Sequence, residues 1–418
     1  MEKTVLSVCP GARRWAFENV KMFSYCGYKT IILDTVKYEY DNAYNFNNLD
    51  VEIHKTKFSN HFSKGWKSIV YRGLKFIEYL DYKLCRPFFV KRFGREPDAM
   101  DWGWVDNLLL ARYHAKEINS FDVDIALGEP AYLSGLAVAM SGAPKKIVAP
   151  WGADAMESMY ASIGQYFLLK YIYKKCDYII MSSRTACKNL AEIYNLPAPK
   201  FLHLIKGTLE FESLPNKSEA RKHICEQYNI PEHFKIIHSA RRFQIRYNTM
   251  YALEACVALL KENKELFCFF TIGGSRSELA QEGVHMVEQL PDDIKQRIVF
   301  LEGEVSYLKF MEILAGADVF VSLRGSGDMR AATVLEGTYV GTVPVLADYQ
   351  EWRYYVEEGA KAILVNPCNV DEIKKGIKRA FEVQQEFEEY NPKYMLDNYG
   401  KDALLENFKS AITSLIEN

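Results

Sequence analysis

An apolar run, Ala317-Asp318-Val319-Phe320-Val321-Ser322, leads within two residues into a glycine-rich turn, Gly325-Ser326-Gly327-Asp328. The run has the length and side chains of a buried strand. Ala331 to Tyr339 then reads as a helix that Gly341 ends. Strand, tight turn and helix in that order build the open parallel sheets of α/β proteins. Free backbone N–H groups and the positive end of the helix dipole both point into the turn, which makes it a seat for an anion. Asp328 and Glu336 frame that seat, eight positions apart and about 12 Å at the helical rise. Acceptors on both sides of an anion seat suit a ligand with a central diphosphate and hydroxyls at either end. A nucleotide sugar is such a molecule. The alternative is an ordinary junction with a solvated Asp328 and a surface Glu336.

At 418 residues the chain is long enough for two domains, each with its own core. Net charge is −2, from 52 bases and 54 acids, so no global field draws in nucleic acid. The nine cysteines are scattered without a paired spacing, and Cys9, Cys176, Cys187, Cys256 and Cys268 fall in apolar patterns. They read as reduced thiols of a cytosolic protein. The eight histidines show no metal-ligand spacing, and no apolar run reaches membrane-spanning length.

Val5 to Val8 and Lys29 to Leu33 read as strands around a helix from Trp15 to Tyr25. The turn between them holds Gly11, as a plain tight turn or as a ligand contact. Residues 57–118 lose this rhythm. Between His61 and Arg95 nine Lys or Arg residues stand against two acids, Glu78 and Asp81, among many aromatics. Such a stretch lies at an anionic membrane surface, or packs on its domain with its lysines solvated. Alternation resumes with Val123–Leu127 and Lys145–Ala149, and the latter ends in Trp151-Gly152-Ala153-Asp154. Asp154, at the carboxyl end of a strand, either bonds an acceptor hydroxyl or acts as a base there, or caps the next helix.

The second half opens a new sheet at Lys235–Ala240 and runs into Arg241, Arg242 and Arg246. Guanidinium groups at a strand's end are suited to bidentate phosphate binding. Phe267–Ile272, Ile298–Leu301, Val343–Leu346 and Ala362–Val365 read as further strands, with Gly303-Glu304-Val305 closing the second of them.

From about residue 235 to 385, this pattern resembles the retaining GT-B glycosyltransferases of family four, the group 1 glycosyl transferases. Arg241 with Arg246 is similar to their G-R-x4-K signature, and Asp328 with Glu336 to their E-x7-E motif. Val343-Pro344-Val345-Leu346-Ala347, Gln350-Glu351 and Ile363-Leu364-Val365 match their tail. There are departures: Asp replaces the first Glu, Arg246 the Lys, Ala240 the Gly, and Trp151 stands where many relatives carry a His.

The resemblance implies an α/β GT-B fold, two Rossmann-like doubly wound domains facing across a cleft. Residues 1–210 would form the acceptor side and 211–399 the donor side, with the helix after residue 400 packing back on the first. By the same resemblance, Glu336 accepts from the ribose and Asp328 from the donor sugar. Arg241 and Arg246 hold the diphosphate with the turn at Gly327 and the helix start at Ala331, Ala332 and Thr333. Gly303, Glu304 and Val305 border the base, and Gly11 faces the donor. The implied reaction is metal-independent transfer, with retention, from a nucleotide sugar to a glycan or lipid-linked acceptor. It belongs to bacterial surface polysaccharide or glycoconjugate synthesis, at the inner membrane face through 61–95. A GT-B epimerase, a phosphorylase or a silent binding module are the alternatives.

Overall fold

The computed structural model describes residues 3–9, 14–35, 51–56, 66–97, 99–205, 211–273, 277–303, 305–324 and 330–416. The chain divides into two compact units, Met1–Lys206 with Leu405–Asn418, and Gly207–Leu404.

The first unit is built on seven parallel strands: β1 Thr4–Cys9, β2 Lys29–Asp34, β3 Val51–Lys55, β4 Ile125–Gly128, β5 Lys145–Val148, β6 Tyr178–Met181 and β7 Phe201–His203. They lie in the order β3-β2-β1-β4-β5-β6-β7. Every residue of β4, and all of β1 after Thr4, is buried, as a sheet covered on both faces requires. Strand β3 is absent from the sequence reading. It sits at the edge, where Glu52 and Lys55 are exposed and charged, so it lacks the apolar run that marks a central strand. The last helix, Lys401–Ile416, buries Leu404, Phe408 and Ile412, and Phe408 meets the edge of Phe23 at 4.8 Å.

The second unit carries β8 Lys235–Ser239, β9 Leu266–Gly273, β10 Ile298–Glu302, β11 Val319–Ser322, β12 Val343–Ala347 and β13 Ile363–Val365. Their order is β10-β9-β8-β11-β12-β13, again parallel throughout. Strand order reverses between β8 and β11. The carboxyl ends flanking such a reversal form a crevice, because the following helices leave to opposite faces. Val319 and Val321 of β11 join Val343, Val345, Ile373 and Ile377 in the core beneath it. The helix after β11 lies close on the strand at Gly337, where a Cβ would come within 2.7 Å of the Phe320 ring.

Asp318 locks the start of β11. One carboxylate oxygen accepts from the Ile236 N–H at 2.7 Å and from Arg221 at 2.8 Å, and the other from Gln384 at 2.8 Å. Burial pushes its carboxyl upward, but Arg221 and the Ile236 N–H outweigh this and hold it below the ordinary carboxylate value. Its stabilisation is therefore complete above the unfolded value near ~4 and lost as pH falls through the lower folded one. Asp318→Asn is expected to lower stability at neutral pH and flatten the acid limb of the unfolding curve. An unchanged acid limb would show that Asp318 contributes no linkage.

Candidate donor and acceptor edges

The crevice in the second unit is bounded by the segments that leave β8 and β11. Arg241, two residues after β8, donates from Nε to Ser322 Oγ at the end of β11, at 3.1 Å. Asn248 ties the same two segments together, donating to the Leu323 carbonyl at 2.8 Å. Tyr247 has two cations near its ring. The guanidinium carbons of Arg241 and Arg324 stand 5.6 and 5.5 Å from its ring centre. Each is attracted to the negative face of the ring, and two like charges are thereby held at one strand edge. Arg246, half-buried in the short helix Ile245–Tyr247, belongs to the same segment.

Arg324 was missed by the sequence reading, which began its turn one residue later, at Gly325. The rule that ligands sit at carboxyl ends of strands points to it, since β11 ends at Ser322.

The helix after the turn, Ala332–Tyr339, opens at Ala331 without a side-chain cap. Ala332 is buried, while Ala331 and Thr333 are half-buried at its first turn. Glu336 is buried inside this helix, which rules out the helix-surface alternative, and accepts from the Tyr307 hydroxyl at 2.9 Å. No local pattern links two residues 29 positions apart. A carboxylate's oxygens carry about four lone-pair sites, and the Tyr307 hydroxyl takes one of them here.

Gly303 follows β10 with a φ of +75°, and Val305 packs on the cluster formed by Ile224, Ile236 and Phe269. Gly11, Glu304, Gly327 and Asp328 lie outside the described residues.

Arg330, just before the helix, is fully buried among acids. It donates to Glu351 at 3.0 Å, twice to Glu358, and to the Tyr399 hydroxyl at 2.9 Å. Burial opposes its charge, but these partners, Glu358 foremost, raise the guanidinium beyond its ordinary value. This cage fixes Arg330 at the start of the helix. His238, buried in β8, donates to or accepts from Thr271 at 3.2 Å. Burial lowers its pKa to about 3, so it is neutral and no proton carrier at neutral pH.

The first unit has its own reversal, at β1 and β4. Glu129, after β4, is buried and accepts from Asn19 and, at 3.1 Å, from the Trp151 indole. Asp154 is buried too, and its carboxylate accepts from the N–H groups of Ala131, Trp151 and Gly152, each at 2.8 Å. Burial raises its carboxyl against the pull of those N–H groups. This geometry has Asp154 join the loops after β4 and β5; from sequence it bonds an acceptor hydroxyl, acts as a base or caps the next helix. Among the described residues, no group of acids, histidines and cysteines has the arrangement of a metal site.

Residues 220–394 match the family model of the glycosyl transferases group 1. No curated protein matches the sequence. Solved structures share the fold over the whole chain. An α,α-trehalose-phosphate synthase (UDP-forming) from Burkholderia vietnamiensis superposes with a TM-score of 0.70 at 11% identity, covering 100% of both chains. Anabaena Alr3699/HepE in complex with UDP and glucose gives 0.67 at 11% identity, covering 99% of this chain and 100% of that one. WaaG, a glycosyltransferase involved in lipopolysaccharide biosynthesis, gives 0.62 at 12%, covering 98% and 99%.

Proposed function

We propose that this chain, which has the fold of solved GT-B glycosyltransferases and matches the glycosyl transferases group 1 over residues 220–394, is a glycosyltransferase that transfers a sugar from a nucleotide sugar to a glycan or lipid-linked acceptor. Transfer proceeds with retention and without a metal, in bacterial surface polysaccharide or glycoconjugate synthesis. The observation that carries this reading is the pair of guanidiniums on Tyr247 at the β8–β11 crevice. As the glycosidic bond breaks, charge grows on the departing diphosphate. Arg241 and Arg324, with Arg246 nearby in sequence, meet that charge from fixed positions, so they favour the transition state over the ground state. They supply the charge that a metal supplies elsewhere. The first turn of the Ala332–Tyr339 helix faces the same anion, and Asp328 grips the donor sugar. UDP-bound neighbours such as Alr3699/HepE support a uridine nucleotide as the first donor to try. The first unit takes the acceptor, and the enzyme works at a membrane face through its basic aromatic helix.

A thermal-shift screen against UDP-, GDP- and ADP-linked sugars tests the donor, since a ligand bound by the native state alone raises its apparent stability. Proton NMR of the product then reads the anomeric configuration. No shift with any nucleotide sugar, at concentrations that saturate a control enzyme, overturns the reading.

Glu336 accepts the ribose hydroxyls in this scheme. Glu336→Ala is expected to weaken nucleotide affinity about 10- to 100-fold by calorimetry, the range of a lost hydrogen bond to a charged group. Tyr307→Phe, which keeps the carboxylate, should cost far less. Unchanged affinity in Glu336→Ala removes the ribose assignment.

A further inference from the structure

The Trp66–Phe93 helix of the first unit turns a broad apolar face to solvent. Ile69 is 73% exposed, Phe76 61%, Leu84 63% and Phe88 73%, and Ile77 and Leu80 are also exposed. At 100° per residue these six side chains fall within an arc of about 120°. A folded chain has no reason to leave such an arc in water unless something covers it.

The charges on this helix are sorted. Its two acids turn inward: Glu78 is buried and accepts from the Val105 N–H at 2.6 Å. Asp81 accepts from the N–H groups of Ile163 and Gly164, each at 2.8 Å. Of the nearby acids on other elements, Glu96 holds Arg86, and Asp106 holds Lys75 and Tyr71. Arg72 and Lys83 are exposed along one margin of the apolar arc.

The Asp81 bonds also seat the start of the Ile163–Lys175 helix against this one. That second helix has no acid. Ile163, Phe167 and Tyr171 are exposed at successive turns, with Lys174 and Lys175 at its end.

We propose that these two helices form one surface that lies in the headgroup region of a bilayer rich in anionic lipid, with the phenylalanines and leucines among the acyl chains and Arg72 and Lys83 on the phosphates. This rests on the membrane reading above and adds the residues that enter the bilayer and the second helix that shares the surface. Apolar side chains with bases along one margin, and the acids withdrawn, complement a surface that is greasy below and negative above. The Trp66–Phe93 helix lies in the plane, since none of the described helices is apolar enough to cross a membrane. Long basic side chains beside the apolar arc can lay their stems along it and keep their heads in the phosphate layer.

Co-sedimentation of the full chain with vesicles tests this. One set is phosphatidylcholine alone; the other contains about one-third phosphatidylglycerol. The chain should bind the anionic vesicles preferentially and release as salt rises. Phe76→Ser with Phe88→Ser should weaken that binding by about 100-fold or more. Arg72→Gln with Lys83→Gln should weaken it about 25-fold on anionic vesicles and leave neutral ones unaffected. All four positions are exposed, and circular dichroism checks that the variants are folded. No vesicle binding by the folded chain overturns the proposal, as does equal binding to both lipid sets. A dimer seen by light scattering that Phe76→Ser with Phe88→Ser dissociates overturns it too, because a second copy then covers the face. Calorimetry with nucleotide sugars separates the two readings. Vesicle binding without donor binding sinks the transferase scheme alone; donor binding without vesicle binding sinks this surface alone.

Discussion

Arg241→Ala is expected to lower kcat/KM for sugar transfer by about 100- to 1000-fold, the loss seen when one fixed donor to a developing anion is removed. Most of the loss should fall on kcat. The diphosphate is already charged in the bound donor, but its bridging oxygen gains further charge only as the bond to the sugar breaks. Arg241 is also held in place, bonded to Ser322 and set over the Tyr247 ring. Its contribution therefore includes little reorganisation. Arg241→Lys keeps the charge but loses the planar fork and most of the stacking, so it should sit between the wild type and Arg241→Ala. Arg246→Ala and Arg324→Ala belong to the same series. Steady-state kinetics with the donor identified by thermal shift reads all four. Near-native turnover by Arg241→Ala removes it from the mechanism.

The second large effect concerns stability. Arg330→Met should cost about 3–5 kcal/mol, because it takes the cation out of a buried ion-pair group. Glu351 is almost wholly buried and Glu358 largely so, and both lose their cation in that variant. For a unit of this size the melting temperature should fall by roughly 10 °C. Adding Glu351→Gln and Glu358→Gln to Arg330→Met is expected to recover part of the loss, since neutral amides have no buried charge to leave unpaired. Calorimetric melting of the variants measures this. A melting temperature within a degree or so of the wild type shows that water or relaxation compensates and that the cage is not structural.

Much of the architecture is legible along the chain because the central strands are continuous apolar runs with small residues at their ends. Val319–Ser322 and Val343–Ala347 announce themselves in this way. Val51–Lys55 does not, since an edge strand needs only backbone pairing and its side chains meet solvent. The cation group is half legible. Arg241 and Arg246 stand out as a cluster, whereas Arg324 is a single base after a strand and gains meaning only when β11 is placed beside β8. Asp154 illustrates a different limit. Its position at a strand end suggests chemistry, but three backbone N–H groups from two loops occupy it, and only folding brings Ala131 to Trp151. The Arg330 cage is hidden for the same reason, with partners drawn from positions 351, 358 and 399.

At Gly337 only a hydrogen atom separates the helix backbone from the Phe320 ring. Alanine there would have to lift the helix off the strand or turn the ring aside, and Glu336 is the very next residue. The distance from that carboxylate to the β8–β11 crevice is thus a fixed gauge, set by the thinnest side chain available. Gly303, after β10, is held to glycine for the other reason: nothing stands within 4 Å of an added carbon, but its φ of +75° is one that side chains rarely adopt.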